Sequence, residues 1–79
     1  MKDEARLHLK NKYSLVHVPS VHKTSRWLDV YKTAVAAGDA PEQAGITAAR
    51  EVFPYEFKER AVYSEISVAE ILRLLNYNG

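Results

Sequence analysis

Cysteine is absent from the 79 residues, which removes disulfides, thiolate metal sites and cysteine nucleophiles together. Glycine is scarce, with three residues in all, too few to assemble a phosphate-cradling loop or a dinucleotide fingerprint. No stretch approaches the roughly 20 apolar residues that a membrane span needs. The opening Met-Lys-Asp-Glu-Ala lacks the apolar core of a secretory signal, so the expected setting is cytoplasmic and no membrane association is expected. There are no internal repeats, low-complexity tracts or Gly/Ser linkers, and residues 1–79 read as one small domain and a complete gene product.

What is present is an ordinary globular balance, 47% hydrophobic and 27% charged, which argues against disorder. A core in a chain below about 70–80 residues supplies only about 3–5 kcal/mol, so a staple is usually required. Without disulfides, the remaining staples are close helix packing, a homo-oligomer or a tight partner. Net charge is only +1, but it is unevenly spread. Residues 1–33 carry seven Lys/Arg against three acids, and residues 34–79 carry four against seven.

The periodicity predicts a mostly α fold, a compact bundle of four to five short helices. Residues 3–18 are ambiguous. Asp3 and Glu4 ahead of Ala5, Leu9, Tyr13 and Val16 fit a helix, whereas Leu7/Leu9 and Tyr13/Leu15 around Lys10-Asn11-Lys12 fit a β-hairpin, giving α+β. Thr24 or Ser25 is the expected N-cap of the next helix, after a connection over 18–24. At 100° per residue that helix gathers Trp27, Leu28, Val30, Tyr31, Ala34 and Val35 on one face, and Gly38 should end it. Asp39-Ala40-Pro41-Glu42 has capping-box spacing and should start the following helix, which runs to Phe53 before Pro54. Its inward stripe is Ala44, Gly45, Ala48, Ala49 and Val52. A short helix around Phe57, Ala61 and Val62 should follow. Ser67-Val68-Ala69-Glu70, with Ile66 and Ile71 as a staple, opens the last helix, whose apolar face is Val68, Ile71, Leu72, Leu74 and Leu75. The expected core combines Leu9, Trp27, Leu28, Tyr31, Val35, Ala44, Ala48, Val52, Phe53, Phe57, Val62, Ile71, Leu72 and Leu75.

The chemistry-bearing residues form no known constellation. His8, His17 and His22 cluster early, but Pro19 interrupts His17 and His22 and no metal-ligand spacing results, so no metal or other cofactor is expected. Ser14, Ser20, Ser25, Ser64 and Ser67 lack a nucleophile elbow. Glu56 and Glu59 are expected to share a solvated helix face. An enzyme is therefore not expected.

The abrupt Gly38-Asp39 corner suggests a helix-turn-helix, but Asp39 occupies a position that wants an apolar residue. The second helix offers Gln43, Thr47, Arg50 and Glu51, with a single base-reading Arg. An αα-hairpin is the favoured reading. Five tyrosines, one Trp and two Phe are many for this length, and Tyr13, Tyr55, Tyr63 and Tyr77 cannot all enter so small a core. These features point to a non-enzymatic interaction module, a regulator, adaptor or inhibitor that binds another protein. Its expected surface is the basic N-terminal third, Lys10, Lys12, Lys23, Arg26 and Lys32, with Tyr13 or Tyr31 as aromatic anchor. The alternative is a small helix-turn-helix-like nucleic-acid-binding regulator.

Overall fold

The first stripe of the chain, Ala5, Leu9, Lys12 and Tyr13, recurs at helical spacing and faces inward along its whole length. The computed structural model describes residues 3–77 and shows this segment as helix α1, Asp3–Tyr13. The hairpin alternative over 3–18 does not form. Asp3 and Glu4 sit at the positive end of the helix dipole and Lys10 and Lys12 at the negative end, while Arg6 donates to Asp3 at 2.7 Å. Ser14 takes a left-handed backbone, φ 54°, and Leu15 N–H reaches back to the Lys10 carbonyl at 2.9 Å, closing the helix.

Helix α2, Val21–Ala36, begins earlier than its expected caps. Ser20, just after Pro19, accepts from the Lys23 amide at 3.1 Å, and Thr24 is already inside the helix, buried and bonded to the Ser20 carbonyl. The exit follows expectation. Gly38 has φ +107°, its N–H bonds Val35 O at 3.0 Å, and Asp39 N–H bonds Ala34 O at 3.1 Å, which completes a Schellman turn.

Helix α3 spans Pro41–Val52 with Ala40 as its N-cap and no side-chain cap. The Asp39–Glu42 capping box is not made, because the Glu42 carboxylate is drawn across to residues of α1 and α4. The stripe Ala44, Gly45, Ala48, Ala49 and Val52 is buried throughout, and α2 lies along it. Small side chains bring the two backbones close enough for the Trp27 indole N–H to donate to the Gly45 carbonyl at 3.2 Å.

The segment after Phe53 departs most from expectation. In place of the helix expected around Phe57, Ala61 and Val62 there is a turn over 54–56 and a 3-10 helix, Glu59–Ala61. The backbone groups a helix would use are taken by α1 and its exit: Tyr63 N–H bonds Lys12 O at 2.6 Å, and the Ser14 hydroxyl donates to Ala61 O at 2.6 Å. Glu56 and Glu59 therefore share no helix face.

Helix α4, Val68–Leu74, keeps its Ser67 cap on the Glu70 amide at 3.1 Å, but Glu70 turns to Arg73 instead of back to the cap. It ends in a left-handed Asn76, φ 59°, with Tyr77 N–H on Leu72 O. Ion pairing with Arg73 holds the exposed Glu70 carboxyl below its ordinary value.

The result is two helix pairs, α2 on α3 and α1 on α4, joined where α3 meets α4. Among the described residues there are four α-helices and no strand. The Cα radius of gyration is 11.0 Å, against about 11.6 Å expected of a compact chain this long. Most of the expected core is inside, Trp27, Leu9, Phe53 and Ile71 at its centre. Val35 is exposed instead, and the buried Tyr13, Leu15 and Val68 complete the cluster. No helix among the described residues is long and apolar enough to cross a membrane.

Candidate interaction surface

Lys12 is completely buried. Its ammonium lies 2.9 Å from Glu42 Oε1 and donates to the Ile66 carbonyl, while Glu42 Oε2 accepts from the Val68 amide at 2.8 Å. One carboxylate thus neutralises a lysine of α1 and caps an orphan N–H at the start of α4. The pair is dry on the lysine side and wet on the other, since the Glu42 side chain is 54% exposed.

Beside this pair, Tyr13 packs edge-on to Phe57 and at a tilt to Trp27, and Trp27 stacks on Tyr31 with centroids 5.5 Å apart. The Tyr13 hydroxyl is buried without a hydrogen-bond partner. Burial, and next the nearby Glu42 carboxylate, push its ionisation far above the ordinary tyrosine range. Tyr31 is raised as well, by burial first and then by Tyr77 and Glu42.

The sign of the pH dependence follows. Below the ordinary tyrosine value of about 10, both phenols are neutral folded or unfolded, and their contribution is fully present. Above it the unfolded chain releases protons that the native state retains, so stability falls with rising pH. For Tyr13 alone the slope is up to about 1.4 kcal/mol per pH unit. Urea unfolding followed by Trp27 fluorescence from about pH 8 to about pH 11 should show this decline, and Tyr13→Phe should flatten it. An unchanged slope in Tyr13→Phe would rule out the buried phenol as its source.

The predicted binding set does not assemble. Lys12, Tyr13 and Tyr31 are interior, so neither proposed anchor can meet a partner in this fold. Lys10 is half-buried, and Lys23, Arg26 and Lys32 are exposed on α2. At about 100° per residue, Lys23 and Arg26 lie about 60° apart and Lys32 on the opposite side from Lys23. Lys32 is held over the Tyr77 ring, 4.9 Å from its centroid.

What is outside was only partly visible in the sequence. Tyr55 is 98% exposed, the most exposed of the large apolar or aromatic side chains, and Val16 is 67% exposed. The turn that carries Tyr55 is tied to the loop that carries Val16, because Glu56 Oε1 accepts from both the Val16 and His17 amides at 3.0 Å. The His17 ring nitrogen lies 3.8 Å from the same oxygen. The half-exposed Tyr63 donates to Glu65 at 2.8 Å, and Lys58 and Arg60 are exposed between the two tyrosines in sequence. A separate open groove of about 470 Å³ is lined by Asp3, Glu4, Arg6, Leu7 and Val18. A smaller one of about 210 Å³ is lined by Asp29, Val30 and Thr33 of α2 and Glu51 of α3.

Ser14, Ser20 and Ser67 bond to backbone groups, and His8 Nδ1 lies 2.8 Å from the Glu4 carbonyl. Among the described residues no three His, Asp or Glu side chains are placed to hold a metal ion. Comparison of the chain with protein-family models, with curated proteins and with solved structures found no match.

Proposed function

We propose that this chain is a non-enzymatic interaction module that docks on another protein, with Tyr55 as its anchor. The reading rests on one observation: an aromatic ring almost wholly in solvent, on a turn that is tied down. Phe57 N–H bonds Phe53 O at 2.9 Å, and the Glu56 side chain fixes the turn to the 14–18 loop. Presenting a ring to water on a fixed turn does nothing for the core. At an interface it supplies large contact area at small entropic cost, which is why Tyr and Trp dominate binding hot spots. A cytoplasmic regulator, adaptor or inhibitor remains the favoured class.

The alternative, nucleic-acid binding through α3, draws less support. Arg50, its one guanine-reading side chain, is paired with Glu59, and Glu51 sits beside it in sequence. Guanine readout needs a free Arg or Lys, and backbone anchoring needs several cations.

A photo-reactive residue placed at position 55 should cross-link a protein in extracts of the native host, and one placed at Lys23 should not. Excess unlabelled chain should compete, whereas Tyr55→Ala should compete about 30-fold less well, the effect of losing a hot spot of about 2 kcal/mol. Its folding stability should shift by less than about 0.5 kcal/mol. Competition by Tyr55→Ala equal to wild type would overturn the anchor. Binding to duplex DNA that weakens with salt, with a log–log slope near −0.9 per phosphate, would favour the alternative.

A further inference from the structure

Helix α1 has an outward face that the core does not use. At about 100° per residue Asp3, Leu7 and Lys10 fall along one line, with Glu4 and Asn11 beside it. Leu7 is 47% exposed at the centre of that line, and Val18, 43% exposed, lies next to it across the groove. The placement of Val18 is secured by Arg6, whose guanidinium reaches the Pro19 carbonyl at 3.4 Å.

The charges on this face are ordered. Acids stand at the N-terminal end, an apolar residue in the middle, a lysine and an amide at the C-terminal end. Among the described residues, neither Glu4 nor Lys10 takes part in an ion pair within the chain. Asp3 is bonded to Arg6 through one oxygen, but its side chain is otherwise in water.

We propose that this face of α1 pairs antiparallel with the same face of a second copy of this chain. A two-fold axis at Leu7 sets position i of one helix against position 14 minus i of the other. Asp3 then lies on the same side of the seam as the partner's Lys10, and Glu4 on the same side as the partner's Asn11. Leu7 meets the partner's Leu7, with Val18 covering the flank. The face is self-complementary, as an isologous interface requires, and a parallel arrangement would set like charges together. One helix face and a loop bury less than the standard interface of about 800 Å² per partner, so the dimer is weak and concentration-dependent. This surface does not include Tyr55 and does not depend on the docking role assigned to it.

Sedimentation equilibrium on the full chain, from about 10 µM to about 1 mM, tests the proposal across the range expected of a small interface. A reversible monomer–dimer equilibrium is expected. Leu7→Asp should be monomeric throughout, with unchanged helix content by circular dichroism. Asp3→Lys with Glu4→Lys should also be monomeric, because a cation at position 3 then faces the partner's Lys10 and the face keeps no acid to offset it. Adding Lys10→Glu to that pair should restore the dimer, which no general loss of folding could produce. A wild-type monomer at every concentration would overturn the proposal. So would a dimer indifferent to Leu7→Asp, or a charge reversal that Lys10→Glu does not rescue.

Discussion

Replacing Lys12 with alanine should cost about 3 kcal/mol and leave the domain barely folded at 25 °C, given a total near 3–5 kcal/mol for a core this small. The substitution removes the ammonium's ion pair with Glu42, leaves the Ile66 carbonyl without its donor and opens a cavity where the stem lay. The lower end of the 3–5 kcal/mol range for breaking a buried pair is appropriate, because Glu42 is half in water and is not stranded by the loss. Lys12→Met separates the parts. It keeps most of the buried stem and should recover about half of the stability, the remainder being the polar contacts. Glu42→Ala combined with each variant then gives the coupling energy between the two side chains. Urea unfolding read through Trp27 measures all of these. A cost below about 1 kcal/mol for Lys12→Ala would mean that the junction of α1, α3 and α4 is held by apolar packing alone.

The second large effect is expected at Gly45. In an ordinary helix interior, Gly→Ala stabilises by about 1 kcal/mol. Here the sign should reverse, with a net loss of about 2 kcal/mol, because a new methyl group would meet the Tyr13 hydroxyl and a Val68 methyl at 2.8 Å. Neither neighbour yields easily, since both side chains are completely buried. Tyr13→Phe by itself should be neutral or mildly stabilising, as the hydroxyl it removes has no partner. In the double variant, part of the Gly45→Ala loss should be recovered while the Val68 contact remains. The two substitutions are then non-additive by about 1 kcal/mol. Additive behaviour would show that the hydroxyl moves aside at no cost.

These two sites also mark how far the residues reveal the fold. The Ala/Gly stripe of α3, the Gly38 corner and the Ser67 cap are local devices, encoded within a few residues, and each appears where its pattern stands. The failures share one cause. Glu42 has the spacing of a capping box but is used by α1 and α4, and Glu56 lies in a helix-like stretch but serves the 14–18 loop. Tyr63 and Ala61 give their backbone groups to residues some 50 positions away in sequence. No local pattern announces such partners.

Lys12 is different, because its burial was legible. It stands seven residues after Ala5 and three after Leu9, on the stripe that ends at Tyr13, and helical periodicity alone directs it inward. Its charge alone points the other way, to the surface. Tyr13 and Tyr31 likewise lie on the apolar stripes of their helices, which places them in the interior and not at a binding surface. The excess of tyrosine did point outward, but to Tyr55 and Tyr63.

The Lys12–Glu42 junction also bears on the order in which the domain can form. A bare ammonium in the interior is unfavourable until its partners are in place, and the Ile66 carbonyl lies 54 residues further along the chain. Helices α1, α2 and α3 can be synthesised and can collapse together with Glu42 already available to Lys12. The ammonium nevertheless stays one acceptor short until Ile66 arrives. Closing a loop of that length belongs to the slow part of folding. A nascent chain halted before α4 would therefore hold its Trp27–Tyr31 side loosely and its α1 side open, and the native packing would come in a single late step.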